Sequence, residues 1–166
     1  MSGFHDVNTL LQTGIMQQQI PDPKGATVTY RRVLELDPGN KYAWYNLGVM
    51  AQQDGRTADA RADYDKALKS DASFKSALFN EAILLKTSDP DTSIRLMSRV
   101  LAIDPKAGTA HLHLGQVLAQ QHRDREAADE FRRAVATDAT LRSQVPEKFR
   151  DSMSSSETSS QAGSTE

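Results

Sequence analysis

The sequence predicts an all-α protein built of consecutive antiparallel helix pairs, and a repeated motif is the main reason. The motif Val33-Leu34-Glu35-Leu36-Asp37-Pro38 returns three times in related form, each copy ending an apolar stretch with an aspartate. These aspartates are Asp37, Asp71, Asp104 and Asp138, so the spacings are 34, 33 and 34 residues. A fixed period of this length over four copies is typical of stacked helical repeats. The 166 residues contain 38% hydrophobic residues and no cysteine, which suits a helical core without disulfides or zinc–thiolate sites.

The period divides the chain into four repeats with a short segment at each end. The predicted segments are a lead-in at 1–6, repeats at 7–40, 41–74, 75–107 and 108–141, a C-terminal capping helix at 142–153 and a tail at 154–166. Such an array needs a polar cap on its last repeat. The Ser/Thr-rich tail has almost no apolar side chains to offset the entropy of ordering, so we expect it to be disordered. It is interpreted as a solubilising tail, with phosphorylation as the alternative.

Helix boundaries within the repeats follow from turn chemistry. Asp22-Pro23 and Asp89-Pro90 each place a capping carboxylate before a first-turn proline. Asp54-Gly55 predicts a turn between the two helices of the second repeat. Pro38 and Pro105 follow helices that they cannot continue. Each repeat is therefore predicted to be helix–turn–helix.

Small residues at equivalent positions predict that the two helices of each pair cross closely. A glycine in mid-helix costs roughly 1 kcal/mol relative to alanine, so it needs a packing reason. The first-helix residues are Gly14, Gly48, Ala82 and Gly115. We expect the small residues across that contact to be Ala26, Ala60, Ser93 and Ala127, and the residues filling the space between successive pairs to be Tyr30, Tyr64, Met97 and Phe131.

The second repeat resembles the tetratricopeptide repeat family. Trp44 is followed by Leu47 and Gly48, and Ala60 by Tyr64, as in the family's 34-residue pattern. The resemblance covers about 135 residues and implies a right-handed superhelical solenoid of antiparallel helix pairs. The sequence departs from the pattern where Glu81 replaces a leucine and His111 replaces a large residue, and we expect looser packing around the third and fourth repeats.

The first helices predict a peptide-binding groove, because the resemblance implies that they line the concave side of the solenoid. Three columns of side chains would face it. They give the candidate site residues Leu11, Ile15, Tyr45, Asn46, Val49, Phe79, Asn80, Ile83, Leu112 and His113. Tyrosine and phenylalanine are common interface anchors. The resemblance also implies that Asn46 and Asn80 hold a peptide main chain.

Each of these assignments has a structural alternative. Tyr45, Phe79 and the other apolar members of these columns would instead pack between neighbouring first helices. Asn46 would bond within the solenoid, and His113 would be an exposed histidine without a specific role. A carboxylate clamp of the kind that captures chaperone C-termini is not expected, because its Lys and Arg positions in the third repeat are Ser76 and Asn80.

The sequence therefore predicts a non-enzymatic interaction module that binds a protein or peptide. It shows no nucleotide-binding loop, nucleophile motif or metal-ligand spacing, so we expect no catalytic residue, cofactor or metal. The formal net charge of −2 argues against a nucleic-acid partner. No signal or membrane segment is visible, so we expect no membrane insertion and a cytoplasmic location. The alternatives are a scaffold that self-associates, weakly or strongly, and the interaction domain of a larger enzyme or membrane-tethered protein.

Overall fold

The computed structural model describes residues 2–160 and is α-helical throughout that range apart from short connections. Its nine helices in order are α1 Ser2–Gln19, α2 Pro23–Leu36, α3 Lys41–Gln53, α4 Thr57–Ser70, α5 Lys75–Leu85, α6 Pro90–Ile103, α7 Gly108–Gln120, α8 Asp124–Thr137 and α9 Glu147–Ser160. A short 3₁₀ helix at Ala139–Gln144 precedes α9. The predicted all-α fold of helix pairs is confirmed. Among the described residues, no helix is both long enough and apolar enough to cross a bilayer.

The chain divides between residues 84 and 85 into two compact bodies, called here the N-terminal body and the C-terminal body. In the N-terminal body α1 packs against α2 and α3 against α4, while α2 also contacts α3. In the C-terminal body α6 contacts α7, and α7 packs against α8. Each body therefore contains paired helices, and in each body one second helix, α2 or α6, also contacts the pair that follows it.

The second helix of each pair buries one stripe of side chains at spacings of four and three residues. In α2 the stripe is Ala26, Tyr30 and Val33, and all three are fully buried. The corresponding residues elsewhere are Ala60, Tyr64 and Ala67, then Ser93, Met97 and Val100, and then Ala127, Phe131 and Ala134. This spacing is one face of an α-helix, so the period seen in the sequence is the period of the core.

The structure corrects what fills the close crossing between paired helices. We expected small residues on both sides and the aromatic rings between successive pairs. Instead, the ring itself lies over the glycine of its own pair: a Cβ built on Gly14 would be 2.6 Å from Cε1 of Tyr30, and one on Gly48 would be 2.7 Å from Cε1 of Tyr64. The glycine is therefore required to make room for an aromatic ring rather than for a second backbone.

The recurring aspartate ends each second helix. The backbone N–H of Asp71 donates to the carbonyl of Ala67, and its carboxylate accepts the backbone N–H of Ser73 at 3.0 Å. Asp138 does the same with the N–H of Thr140 at 2.9 Å. Asp104 accepts the N–H of Lys106 in the same way, whereas Asp37 accepts from Nδ2 of Asn40. In each case the side chain pairs a donor in the turn that follows the helix, which explains why this residue type marks the period.

The two residues that depart from the family pattern are both buried, and looser packing around the third and fourth repeats stays a prediction. His111 is 6% exposed, and its Nε2 lies 2.9 Å from the carbonyl oxygen of Pro105. Trp44, at the equivalent position, donates from Nε1 to the carbonyl of Pro38 at 2.8 Å. Glu81 is 3% exposed, so it is as well buried as an apolar side chain would be. The imidazole and the indole therefore each place a ring nitrogen at the carbonyl oxygen of the equivalent proline, Pro105 and Pro38.

The two ends differ from the predicted segments. Helix α1 already starts at Ser2, within the predicted lead-in. At the other end, the predicted capping helix at 142–153 is divided between the 3₁₀ helix and α9, because Pro146 cannot continue the 3₁₀ helix. Helix α9 extends to Ser160, into the segment predicted to be disordered, and residues 161–166 lie outside the described part of the chain. The disorder of the tail stays a prediction.

Candidate functional site

Tyr45 is the structural centre of the candidate site in the N-terminal body. Its half-buried ring lies 6.1 Å from the ring of Tyr64 and 5.2 Å from that of Phe74, measured between centroids. Its hydroxyl accepts a hydrogen bond from Nδ2 of Asn80 at 3.1 Å. Tyr45 therefore joins α3 to α4 and to α5, and it is held in one orientation from three sides.

Two further aromatic residues adjoin Tyr45, and the sequence analysis missed them. Tyr42 is 51% exposed, and the edge-on contact between its ring and that of Phe74 has a centroid distance of 5.6 Å. Tyr42 precedes Tyr45 by three residues, a spacing that places both on one side of α3 and was readable in the sequence. Tyr42, Tyr45 and Phe74 together are called the aromatic surface below.

Lys41 borders the aromatic surface with a charge that is already paired. Its ammonium lies 5.2 Å from the ring centroid of Tyr42 and 5.1 Å from that of Phe74, and it donates to Asp71 at 2.5 Å. The hydrogen bond with Lys41 lowers the pKa of Asp71, and the same bond raises the pKa of Lys41. The surface therefore presents rings beside a neutralised ion pair, which suits apolar or uncharged ligand groups.

The two asparagines predicted to hold a peptide main chain already make internal hydrogen bonds. Nδ2 of Asn46 donates to the carbonyl of Tyr42 at 2.9 Å, within its own helix. Asn80 donates to Tyr45, as described above. The structure thus shows for Asn46 the bond within the solenoid that we named as the alternative. A ladder of these amides on a ligand stays a prediction.

The other predicted groove residues separate by burial. Leu11 and Leu112 are 8% and 1% exposed, so they contribute to packing and not to an open surface. Ile15 is 36% exposed. The remaining aliphatic and aromatic members, Val49, Phe79 and Ile83, are half-buried.

His113 forms a small polar cluster in the C-terminal body. Its side chain is half-buried, whereas the alternative given for this residue was an exposed histidine. Nζ of Lys86 lies 3.1 Å from its Nδ1 and donates to Oε1 of Gln116 at 2.7 Å. Burial lowers the pKa of His113, and the charge of Lys86 lowers it further. Burial and the charge of Lys86 thus favour the neutral imidazole, whose Nδ1 lies 3.1 Å from Oε1 of Gln116 as well as from the ammonium.

Comparisons with known proteins agree with this architecture. The family model described as tetratricopeptide repeat matches residues 25–74 and 83–141. The crystal structure of MamA superposes with a TM-score of 0.75 at 20% identity, over 81% of this chain and 79% of that one. PilF of Pseudomonas aeruginosa superposes with a TM-score of 0.76 at 22% identity, over 86% of this chain and 66% of that one. At these identities the two structures show the fold alone.

Similar sequences are parts of much longer proteins. The human protein O-mannosyl-transferase TMTC3 is 27% identical over 139 residues, which are 80% of this chain and 15% of that protein. Cellulose synthase operon protein C of Pseudomonas fluorescens is 36% identical over 73 residues, 44% of this chain and 6% of that protein. The chain thus spans less than a sixth of either relative, and the family model covers the larger part of the chain. The chain belongs to the tetratricopeptide repeat family.

Proposed function

We propose that the chain is a non-enzymatic interaction module that binds a peptide or helical segment of a partner protein on the first-helix surface of its N-terminal body. The aromatic surface carries this proposal. Tyr42 leaves half of its area open while Phe74 and Lys41 hold its ring in place. A fixed, exposed aromatic ring loses little entropy when a ligand covers it, which is why tyrosine is common among interface anchors.

The surroundings of the aromatic surface support an uncharged ligand segment. Lys41 is neutralised by Asp71, so it offers its charge to the rings and not to the ligand. The amides of Asn46 and Asn80 lie on α3 and α5, and the carbonyl oxygen of each can accept a hydrogen bond from a main chain. Affinity from such a site is expected to be on the order of micromolar, about −8 kcal/mol.

Replacing Tyr42 by alanine tests the proposal. Tyr42 is preferred to Tyr45 because truncating Tyr45 would also remove the hydroxyl that Asn80 bonds. The matched control is Val28→Ala, which removes a 68% exposed apolar side chain from the same body. A partner is captured from lysate with wild-type protein, purified, and titrated against all three proteins by calorimetry.

The expected result is a loss of about tenfold or more in affinity for Tyr42→Ala and no loss for Val28→Ala, because hot-spot truncations cost about 2 kcal/mol or more. Equal affinities for the three proteins would place binding elsewhere. Circular dichroism checks that both variants keep their helices.

A second candidate is suggested by the relatives. The alignment with a protein O-mannosyl-transferase covers 80% of this chain but 15% of that protein. We propose as the alternative that the sequence is the protein-recognition part of a larger transferase, whose chemistry resides elsewhere. An antibody raised against this chain distinguishes the two: a band near 18.3 kDa in the source cells supports a free module, and a much larger band supports the alternative. Self-association and a cytoplasmic location stay predictions.

A further inference from the structure

Each body contains a cleft at an equivalent place, 67 residues apart in the sequence. The first cleft, of about 570 Å³, lies between α2, α3 and α4. The second cleft, of about 340 Å³, lies between α6, α7 and α8. Both are bounded by the second helices of successive pairs, away from the aromatic surface. Because they are repeats of one site, the second cleft shows how the side chains of the first can be satisfied.

The second cleft satisfies its carboxylate from within the chain. Glu130 is 8% exposed, and its Oε2 lies 2.5 Å from Nδ1 of His111. Its other oxygen accepts a hydrogen bond from the guanidinium of Arg133 at 2.6 Å. A buried carboxylate needs such donors, because leaving it without them costs several kcal/mol. In the second cleft, both carboxylate oxygens of Glu130 are therefore already occupied by side chains of the same chain, His111 and Arg133.

The first cleft has a carboxylate in the same place but lacks both donors. Asp63 corresponds to Glu130, and the ring at the position of His111 is Trp44. The only N–H of the indole donates to the carbonyl of Pro38, so nothing remains for the carboxylate. Lys66, which corresponds to Arg133, places its ammonium over Trp44, 4.1 Å from the ring centroid.

Asp63 is consequently left half-buried without a hydrogen bond or ion pair from any residue that the structure describes. Burial is the main reason that the pKa of its carboxyl group is raised. The other two acidic side chains of the cleft are already paired, since Asp59 accepts from Arg56 and Glu35 accepts from Arg32. Asp63 is thus the carboxylate in this cleft with capacity for a further donor.

The other residues that line the cleft indicate which kind of donor group it can accept. Its floor is apolar, formed by Leu34, Leu47 and Met50 beside Trp44. Its charged lining residues balance, with three basic side chains, Arg31, Arg56 and Lys66, and three acidic ones, Glu35, Asp59 and Asp63. Because Glu35 and Asp59 are paired with arginines, the attraction for an entering cation comes from Asp63, which Lys66, Arg56 and Arg31 also face. The hydrocarbon stem of that cation has an apolar surface to cover.

We propose that the first cleft binds an arginine side chain, flanked by apolar residues, from a partner protein. The guanidinium donates to Asp63 as Arg133 donates to Glu130 in the second cleft. Its plane stacks on the indole of Trp44 in place of the ammonium of Lys66, which it displaces. Arginine fits better than lysine because its planar fork donates to a carboxylate while stacking on an aromatic ring. This second docking surface is independent of the aromatic surface.

The chain reports on this site directly, because Trp44 is its one tryptophan. The full chain is titrated with the peptide acetyl-Gly-Leu-Arg-Leu-Gly-amide while indole fluorescence is recorded, and then with the same peptide carrying citrulline in place of arginine. Citrulline keeps the shape and removes the charge. We expect a saturable change with the arginine peptide and at least tenfold weaker binding of the citrulline peptide.

Two variants locate the contact. Asp63→Asn is expected to weaken the arginine peptide at least tenfold, while Asp65→Asn, an exposed acid on the same helix, leaves binding unchanged. The double variant Asp63→Glu/Lys66→Arg, which copies the pair of the second cleft, is expected to abolish binding by closing the site. Tyr42→Ala leaves this binding intact, so the outcome does not depend on the proposed function.

The proposal is overturned by any of three results. These are no saturable change up to about 10 mM peptide, equal binding of the arginine and citrulline peptides, or equal binding by wild type and Asp63→Asn. The first would mean that Lys66 moves onto Asp63 and fills the cleft itself.

Discussion

Replacing Gly48 by alanine sets helix propensity against packing, and the structure decides which prevails. Alanine in mid-helix gains about 1 kcal/mol over glycine. The added Cβ, however, would lie 2.7 Å from Cε1 and 2.8 Å from Cδ1 of Tyr64, whereas carbon atoms prefer about 3.5–4.0 Å. The ring therefore has to move by about 1 Å.

Tyr64 has little freedom to make that movement. It is fully buried, and its hydroxyl donates to Oε1 of Gln52 at 2.6 Å. Overpacking a well-packed core costs typically about 1–3 kcal/mol, and a ring fixed at both ends puts this site in the upper part of that range. With the propensity gain subtracted, we expect Gly48→Ala to lower the free energy of unfolding by about 1–2 kcal/mol.

Urea unfolding followed by circular dichroism measures this loss, and two further variants control for it. Gly39→Ala places a Cβ 3.5 Å from Oγ of Ser70, an ordinary contact, and should cost nothing. In a Tyr64→Leu background, where the ring is absent, Gly48→Ala should become stabilising. A stabilising effect of Gly48→Ala in the wild-type chain would refute the ring-on-glycine argument.

Three other substitutions test separate contacts by the same unfolding assay. Tyr64→Phe should lower the free energy of unfolding by about 1 kcal/mol, because the side-chain carbonyl oxygen of Gln52 loses its donor. The double variant Tyr64→Phe/Gln52→Ala should recover much of that free energy. A loss that the second substitution does not reduce would contradict this. Lys41 lowers the pKa of Asp71 in the folded chain, so their pair stabilises the fold above pH about 4, and this stabilisation is lost as pH falls through the folded pKa. Lys41→Met should therefore make the free energy of unfolding depend less on pH on the acid side. An unchanged pH dependence would exclude a role for the pair. His122, at φ 58°, adopts a backbone conformation that favours glycine, so His122→Gly should stabilise by about 0.5–1 kcal/mol; destabilisation would mean that the imidazole has a role of its own.

Equivalent positions in other repeats support the pairing of a buried tyrosine with a glutamine. Tyr30 donates to Gln18, and Tyr64 donates to Gln52, in each case twelve residues earlier. Where the aromatic residue lacks a hydroxyl, at Phe131, the residue twelve positions earlier is Ala119. Both glutamines are polar residues near the ends of first helices, and only the tertiary structure shows that they accept hydrogen bonds from buried tyrosines.

The candidate site was predicted less well than the fold, for a physical reason. Repeat position places a side chain on a helix face but does not say whether a neighbouring helix covers it. Leu11 and Leu112 were assigned to the groove by position and are buried. Tyr42 was omitted and is the most exposed member of the aromatic surface. The helices that pack against a first helix decide which of its side chains are exposed, and these helices are distant in sequence.

The sequence alone determined the helix pairs and their period of 33 or 34 residues. These are local consequences of capping aspartates, prolines and helical spacing, which act within one repeat. The tertiary structure decided which polar side chains are satisfied: His111 and Glu130 close one cleft, while Trp44 and Asp63 leave its counterpart open. The two clefts differ because the imidazole of His111 has a second ring nitrogen beside the carboxylate, whereas the one N–H of Trp44 is used by Pro38. Helical periodicity does not encode this difference.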